Sequence, residues 1–307
     1  MDAVIRPLTK GDLAAARRIC STAFGTFLGA PEPENFWGDR DYIYGRFGAE
    51  HVASFAGELD GELVGSNFAT RWGSVGFFGP ITVRPDRQGQ GIAKQLVEAV
   101  STQLNDWGLR HAGLFTFPHS ALHLGLYQKC GFHARFLTAI MAAPAQRGGA
   151  AGSWARYSEL AEADRREVTE ALYEGLDLGG EIRTVAARGL GDTLLLWAGT
   201  SRLVGFAVCH WGPASEAGEG CCFVKFGAVR PGPTAEGDFA ELIDACAAFA
   251  VEIGMPNLLA GVNLAREEAD RHMVARGFRT EIQGVTMHRL NDWGYSRPGL
   301  YVLDDWR

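Results

Sequence analysis

Apolar positions in the first part of the chain switch between a period of two and a period near 3.6, the patterns of strands and helices that each bury one face. Ala3 to Pro7 reads as a short strand, and Asp12 is placed to cap a helix carrying Leu13, Ala16, Ile19 and Phe24. His51 to Glu58 and Glu62 to Trp72 read as two strands joined at Asp60-Gly61, a strong hairpin signal. Val75 to Val83 predicts a third strand. A helix follows from about Gly91, with Ile92, Leu96, Ala99, Val100 and Leu104 on one face. His111 to Phe117 is then a strand, and Ser120 to Lys129 a helix that stops at Gly131. Hairpins followed by strand-helix-strand-helix predict a mixed sheet with helices on its faces.

The plan occurs twice. Arg84-Pro85 matches Arg230-Pro231, Trp107-Gly108 aligns with Ile253-Gly254, and Gly131-Phe132 with Gly277-Phe278. All three offsets are 146 (230 − 84, 254 − 108, 277 − 131). Leu63-Val64-Gly65 matches Leu203-Val204-Gly205 at 140, and the following hairpin absorbs the six-residue difference. A constant offset at separated anchors indicates a tandem duplication. Between the copies, Ala142 to Ser153 is rich in small residues and includes Pro144 and Gly148-Gly149, which reads as a linker. The expected division is a first domain over 1–142, a linker over 143–153, a second domain over 154–290 and an aromatic tail over 291–307.

With 307 residues the chain has room for two cores. The net charge of -7, without any Lys/Arg cluster, argues against nucleic acid as the main partner and mildly favours a cationic one. Met1 to Pro7 has no apolar segment of a signal peptide, and no apolar run reaches bilayer length, so a cytoplasmic protein without membrane contact is expected. The six cysteines lack metal-finger spacing and stand beside no activating histidine, which predicts buried free thiols and no metal. Adjacent Cys221 and Cys222, in a strand, should face opposite ways.

The stretch richest in chemistry is Ile81-Thr82-Val83-Arg84-Pro85-Asp86-Arg87-Gln88-Gly89-Gln90-Gly91-Ile92-Ala93. A β-branched strand ends at a proline, a glycine-rich turn follows, and an amphipathic helix begins, so several unpaired amides point at one anion. Gly89 and Gly91 allow close approach of a diphosphate, and Ala93 is small enough to leave room over the first helical turn. The spacing is that of neither a Walker loop nor a dinucleotide G-x-G-x-x-G turn.

Gln88-Gly89-Gln90-Gly91-Ile92-Ala93 resembles the cofactor loop Gln/Arg-x-x-Gly-x-Gly/Ala of the GNAT acetyltransferase superfamily, with the usual Val-x-Pro before it as Val83-Arg84-Pro85. Leu126-Tyr127-Gln128-Lys129-Cys130-Gly131-Phe132 is similar to the family's later Leu-Tyr-x-Lys-x-Gly-Phe signature, and the resemblance covers most of residues 3 to 140. It implies two tandem GNAT-like α/β (mixed α+β) domains, each a central mixed, mostly antiparallel sheet flanked by helices. It implies acetyl-CoA as cofactor, with the pantetheine arm along Ile81, Thr82 and Val83 and the pyrophosphate on the amides of Gln88, Gly89, Gln90, Gly91, Ile92 and Ala93. Ser120, where the family commonly has Asn, joins the cofactor contacts. The acceptor would be a small-molecule or peptide amine attacking the thioester directly, in a monomer or homodimer.

Tyr127 occupies the family's general-acid position, and a phenol stays protonated at neutral pH. The base is open. The strand from Val75 to Val83 has no carboxylate where relatives place a glutamate. His119 and His123, four apart, are expected to share a face with Tyr127, and helix-end packing is the plainer alternative for each. Glu32 and Glu34 lie where these folds form the acceptor pocket and could attract a cation or be solvated.

In the second half, Gln88 becomes Thr234, Ile92 becomes Asp238, Ala93 becomes Phe239 and Tyr127 becomes Met273, which reads as a degenerate copy. Asp238 is expected to satisfy the amides that a phosphate would otherwise take. The tail from Trp293 to Arg307 is expected to dock on the second domain, or else to line the first domain's acceptor groove. A non-catalytic acyl-CoA-sensing module is the alternative function.

Overall fold

Helices α3 (Ala121–Lys129) and α7 (Glu267–Ala275) begin and end 146 residues apart, so the sequence offset is also a structural one. The computed structural model describes residues 3–146, 153–157, 165–199 and 202–307. The first half runs β1 (Val4–Pro7), α1 (Leu13–Phe27), β2 (Val52–Leu59), β3 (Glu62–Trp72), β4 (Val75–Phe78), β5 (Thr82–Val83), α2 (Ile92–Asp106), β6 (His111–Thr116), α3 and β7 (Phe132–Pro144). The second runs β8 (Ser153–Arg156), α4 (Arg166–Leu172), α5 (Gly179–Arg188), β9 (Gly191–Ala198), β10 (Arg202–Gly212), β11 (Gly218–Val229), α6 (Ala235–Glu252), β12 (Asn257–Asn263), α7, β13 (Arg279–Arg289) and β14 (Val302–Leu303). No helix among the described residues is long and apolar enough to cross a membrane.

The halves are two domains of the same plan joined in one sheet, ordered β1-β2-β3-β4-β6-β13-β7-β12-β11-β10-β9-β8, with β5 on β3 and β14 on β11. The central run β6-β13-β7-β12 maps onto itself when the halves are exchanged. Each half's last long strand lies beside the other's: β13 pairs with β6 and β7, and β7 with β13 and β12. The cores follow the exchange. Val285 and Met287 of β13 pack under the first half with Tyr127 and Phe132, and Ala139, Met141 and Ala143 of β7 pack under the second with Phe239 and Met273. Neither half closes its core with its own residues alone. Among the described residues, parallel pairing is confined to β4–β6 and β11–β12, so the sheet is mostly antiparallel.

Several local expectations change. Val75 to Val83 is not one strand: β4 ends at Phe78, and after a cis Gly79-Pro80 bond β5 pairs with β3 alone. Asp12 does not cap α1 with its side chain, because Arg6 holds the carboxylate at 2.7 and 3.0 Å and Thr9 donates to it. Ala143 and Pro144, expected in the linker, pair with Leu258 and Asn257 as the end of β7, and Ser153 opens β8, while 147–152 lie outside the described residues. Ordered pairing wins there because β12 presents a free edge of matching length. Asp60 and Gly61 form the expected hairpin, both at positive φ (53° and 79°). Cys222 joins a core cluster with Cys209 and Cys246, whereas Cys221 faces another with Phe223, and all six thiols are free.

The tail packs on both halves. Its β14 lies on β11, and Trp306 stacks on Phe77 of the first half at 5.9 Å with planes 4° apart. Gly113 admits that ring: a Cβ there would stand 2.5 Å from it.

Candidate active site

The broken strand opens the site. β4 pairs in parallel with β6 as far as Phe78↔Leu114, whereas Ser66↔Thr82 and Gly65↔Val83 leave Ile81–Val83 attached to β3 only. A cleft therefore opens between this segment and the end of β6, with one backbone edge unpaired along it. Ile81 packs both against the cluster that holds Tyr127 and against the one that holds Ile92 and Val83, so it links the wall of the cleft to the start of α2. Thr82 is buried with its hydroxyl 3.4 Å from that of Ser66.

Beyond Val83, the turn presents its amides. Gly89 and Gly91 have φ of 78° and 81°, values that a side chain rarely adopts, and a Cβ at either would meet no atom within 4 Å. The glycines thus answer to backbone angle and to free space in front of the turn, not to internal crowding. The first bond into α2 runs from Gln95 N to Gly91 O at 3.2 Å, and among the described residues no group accepts from the amides of 89–94. Gln88, Gly89, Gln90 and Gly91 are exposed, Ile92 is buried in the core, and Ala93 is half-buried. Such a helix start is an anion site in form. Gln88 turns its side chain away from it, donating to Val83 O at 3.4 Å.

Tyr127 is 5% exposed, its ring 5.9 Å from that of Phe78 at the end of β4. Burial raises the phenol well above its ordinary value, with a bond to the Thr116 side chain opposing the shift. The hydroxyl therefore stays protonated throughout the neutral range.

The histidines are placed differently from expectation. α3 begins at Ala121, with Ser120 as its N-cap accepting from His123 N at 3.3 Å, so His119 lies in the turn before the helix. Only His123 shares a helical face with Tyr127. Both rings pack on Phe27 of α1, His119 stacked at 5.7 Å and His123 tilted at 4.8 Å. Burial lowers the pKa of His123, and His119 adds to the shift. Ser120, counted with the cofactor contacts, spends its oxygen on this cap. Glu32 and Glu34 are exposed, and Glu32 accepts from Asn35.

Sequence reasoning missed the aromatic wall of Phe27, Phe24 and Phe117, and it missed Arg46. Phe24 packs on the core face of α1 as expected and also touches Phe117, while Arg46, in an irregular loop, carries no motif. The guanidinium of Arg46 is buried and donates to the carbonyl of Gly79, at the break in the strand.

At the equivalent place in the second half, the cleft is full. Gly227, Ala228 and Val229 correspond to Ile81, Thr82 and Val83 (227 − 81 = 146), and β14 lies on them, with Ala228↔Val302, Gly227↔Leu303 and Val229 N donating to Tyr301 O at 3.3 Å. The turn has become helix: α6 starts at Ala235, three residues before the equivalent of Ile92 (238 − 235 = 3), and Asp238 N bonds Thr234 O at 2.9 Å. Asp238 does not cap with its carboxylate, which takes the Thr234 hydroxyl at 2.8 Å instead. Phe239, in the place of Ala93, is fully buried with its ring 5.3 Å from Tyr301. Among the described residues, no cluster of three or more His, Cys, Asp or Glu is placed to hold a metal ion.

Comparison with known proteins agrees with this geometry. The model of the Acetyltransferase (GNAT) family matches residues 20–132, which contain the cleft, the turn and Tyr127. A putative acetyltransferase from Pyrococcus horikoshii is similar over 98% of this chain and 94% of its own, at 13% identity and a TM-score of 0.69. A GCN5-related N-acetyltransferase from Sphaerobacter thermophilus covers 94% of this chain and 95% of its own at 16% identity and a TM-score of 0.58. A tandem GNAT protein from the clavulanic acid biosynthesis pathway covers 94% and 98% at 14% identity and a TM-score of 0.56. No curated protein matches the chain.

Proposed function

We propose that this chain is a two-domain acetyltransferase of the GNAT family, to whose model residues 20–132 match, and that it moves an acetyl group from acetyl-CoA to a primary amine by direct attack on the thioester. The observation that carries the reading is the contrast between the clefts: open amides and an unpaired strand edge in the first half, β14 and Phe239 in the second. Residues 1–142 would then hold catalysis and 154–290 would be a degenerate partner, with 291–307 as its plug.

In this reading the pantetheine arm lies along Ile81–Val83 and the pyrophosphate takes the amides from Gly89 to Ala93, the expected Gln88 N–H being already held by Pro85 O at 3.4 Å. Ile92 anchors the helix from below. Tyr127 gives its proton to the departing thiolate; its raised pKa keeps that proton in place until thiolate develops. The amine must arrive neutral, and His123, held neutral by burial, is the better placed of the two histidines to take its proton, His119 flanking it across Phe27.

A non-catalytic acyl-CoA sensor is the second reading, favoured by the near-complete burial of Tyr127. Turnover of acetyl-CoA with a panel of primary amines separates the two. Coenzyme A release that depends on the amine supports transfer; tight binding of acetyl-CoA without turnover of any amine would leave the sensor.

A further inference from the structure

Arg46, itself buried, has partners on three sides. Its Nε donates to Glu216 Oε1 at 2.8 Å, its Nη2 to Arg307 O at 2.6 Å, and its Nη1 to Gly79 O. Glu216 in turn accepts from Lys225 Nζ on β11 at 2.6 Å. Burial alone would raise the Glu216 pKa, but Arg46 and Lys225 hold it down to about 2, so the carboxylate is charged. Arg46 belongs to the first half; Glu216, Lys225 and Arg307 belong to the second half and its tail. The chain of contacts ends on the peptide where β4 stops and the cleft begins. Gly79 is fixed from its other side as well, its N–H donating to Phe68 O on β3 at 2.8 Å.

We infer that Arg46 is a positioning residue for the cofactor strand, and that the second half acts on the first half's site through Glu216 and Arg46. A guanidinium presents several donors in a fixed plane, so it can hold a carboxylate, a carbonyl of the tail and the Gly79 carbonyl at once. A lysine keeps the charge opposite Glu216 but cannot make all three contacts. The orientation of the Gly79 peptide sets the direction in which Ile81–Val83 leaves the sheet, and hence which backbone groups face the cleft. The degenerate half has lost its own cleft to β14 and has kept a buried ion pair that shapes the other. This rests on the reading of the first half as the coenzyme A site.

The test uses the full chain with Arg46→Lys, Arg46→Met and Glu216→Gln. Amide hydrogen exchange is followed at 79–83 without ligand, and coenzyme A binding is followed by calorimetry. Arg46→Lys is expected to recover most of the melting temperature lost in Arg46→Met, yet to exchange faster at 79–83 and bind coenzyme A ~10-fold more weakly, the scale of losing one charge-assisted bond. Glu216→Gln, which keeps the guanidinium, is expected to show the same two changes to a smaller degree. Lysine restoring stability, exchange and affinity together would overturn the proposal, because Arg46 would then be a structural charge only. If neither Arg46 variant folds, unchanged exchange and affinity in folded Glu216→Gln overturns it equally. Failure of the unaltered protein to bind coenzyme A would sink the cofactor reading, while the exchange at 79–83 still decides the role of Arg46.

Discussion

Arg266 donates from Nη1 to the carbonyl of Val302 at 2.8 Å, and so fastens the strand that fills the second half's cleft. It stands at the N-cap of α7, the position that Ser120 holds in α3 (266 − 120 = 146). Its Nη2 also pairs with Asp304, which accepts from the Tyr295 hydroxyl, and Trp306 Nε1 donates to that same hydroxyl at 2.8 Å. One substitution in the duplicated plan has turned a helix cap into an anchor for the tail.

Arg266→Ser, which restores the first half's residue, should therefore destabilise the protein. Removing one member of a buried ion pair leaves the other charged and unpaired, at a cost of about 3–5 kcal/mol. Urea denaturation measures it, and a loss under about 1 kcal/mol would mean that β14 holds without its anchor.

Tyr127→Phe should lower kcat by ~100- to 10,000-fold while leaving coenzyme A affinity nearly unchanged. The hydroxyl matters when thiolate forms, and the ring still fills the space beside Phe78. Since burial raises the phenol pKa, the wild-type rate should also show no alkaline fall from this group near its ordinary value. Wild-type turnover in the variant removes Tyr127 from the mechanism.

The acidic limb of the pH–rate profile tests the histidines. Burial lowers the pKa of His123, so a rate that needs its neutral form should persist below the ordinary 6.5 before falling. The His119→Ala, His123→Ala double variant should lose activity and change that limb. An unaltered limb with normal kcat assigns both rings to packing on Phe27.

Two other histidines govern acid stability. Burial first, then its neighbour His288, pushes His111 down to about 3, and burial pushes His288 down to about 4. Both are neutral in the fold, while the unfolded chain takes up their protons near 6.5. Below that pH the unfolded state binds more protons, so the stabilisation is whole above 6.5 and is lost as pH falls toward 4 and then 3. The urea midpoint should thus drop between neutral pH and about pH 5, and His111→Gln should flatten the drop. A midpoint constant over that interval contradicts the burial of neutral rings.

Much of this was legible in the chain. The offset read from Arg84-Pro85 and Gly131-Phe132 survives in α3 and α7 to the residue, because duplicated cores keep the spacing of their packing positions. Gly89 and Gly91 were readable because their positive φ demands a residue type. The exchange of β7 and β13 was not, since a strand with one apolar face carries no mark of which neighbour it will pair with. The aromatic tail from Trp293 to Arg307 does dock on the second domain as expected, but that it fills the second cleft was not legible, since only the open edge of β11 decides where such a segment lies down. Arg46 shows the same limit, its partners being 170 and 261 residues away in sequence.

A single coenzyme A per chain is the most specific expectation. The pyrophosphate needs bare amides and free volume at the first turn of the helix. At the start of α2 the amides from 89 to 94 have no acceptor among the described residues, and the glycines face open space. In α6 the equivalent segment is already wound into helix, and Phe239 is buried against Tyr301 where Ala93 leaves room. Calorimetric titration of the intact chain should give one site. Ala93→Phe should abolish it; residue 93 is half-buried and packs beside Val64, Val83, Ile92 and Leu96, so the melting temperature is followed alongside to separate lost binding from lost fold. Phe239→Ala should not create a second site, since β14 and Arg266 still occupy the cleft. Two sites in the intact chain, or normal binding in Ala93→Phe, would reverse the assignment of the open half.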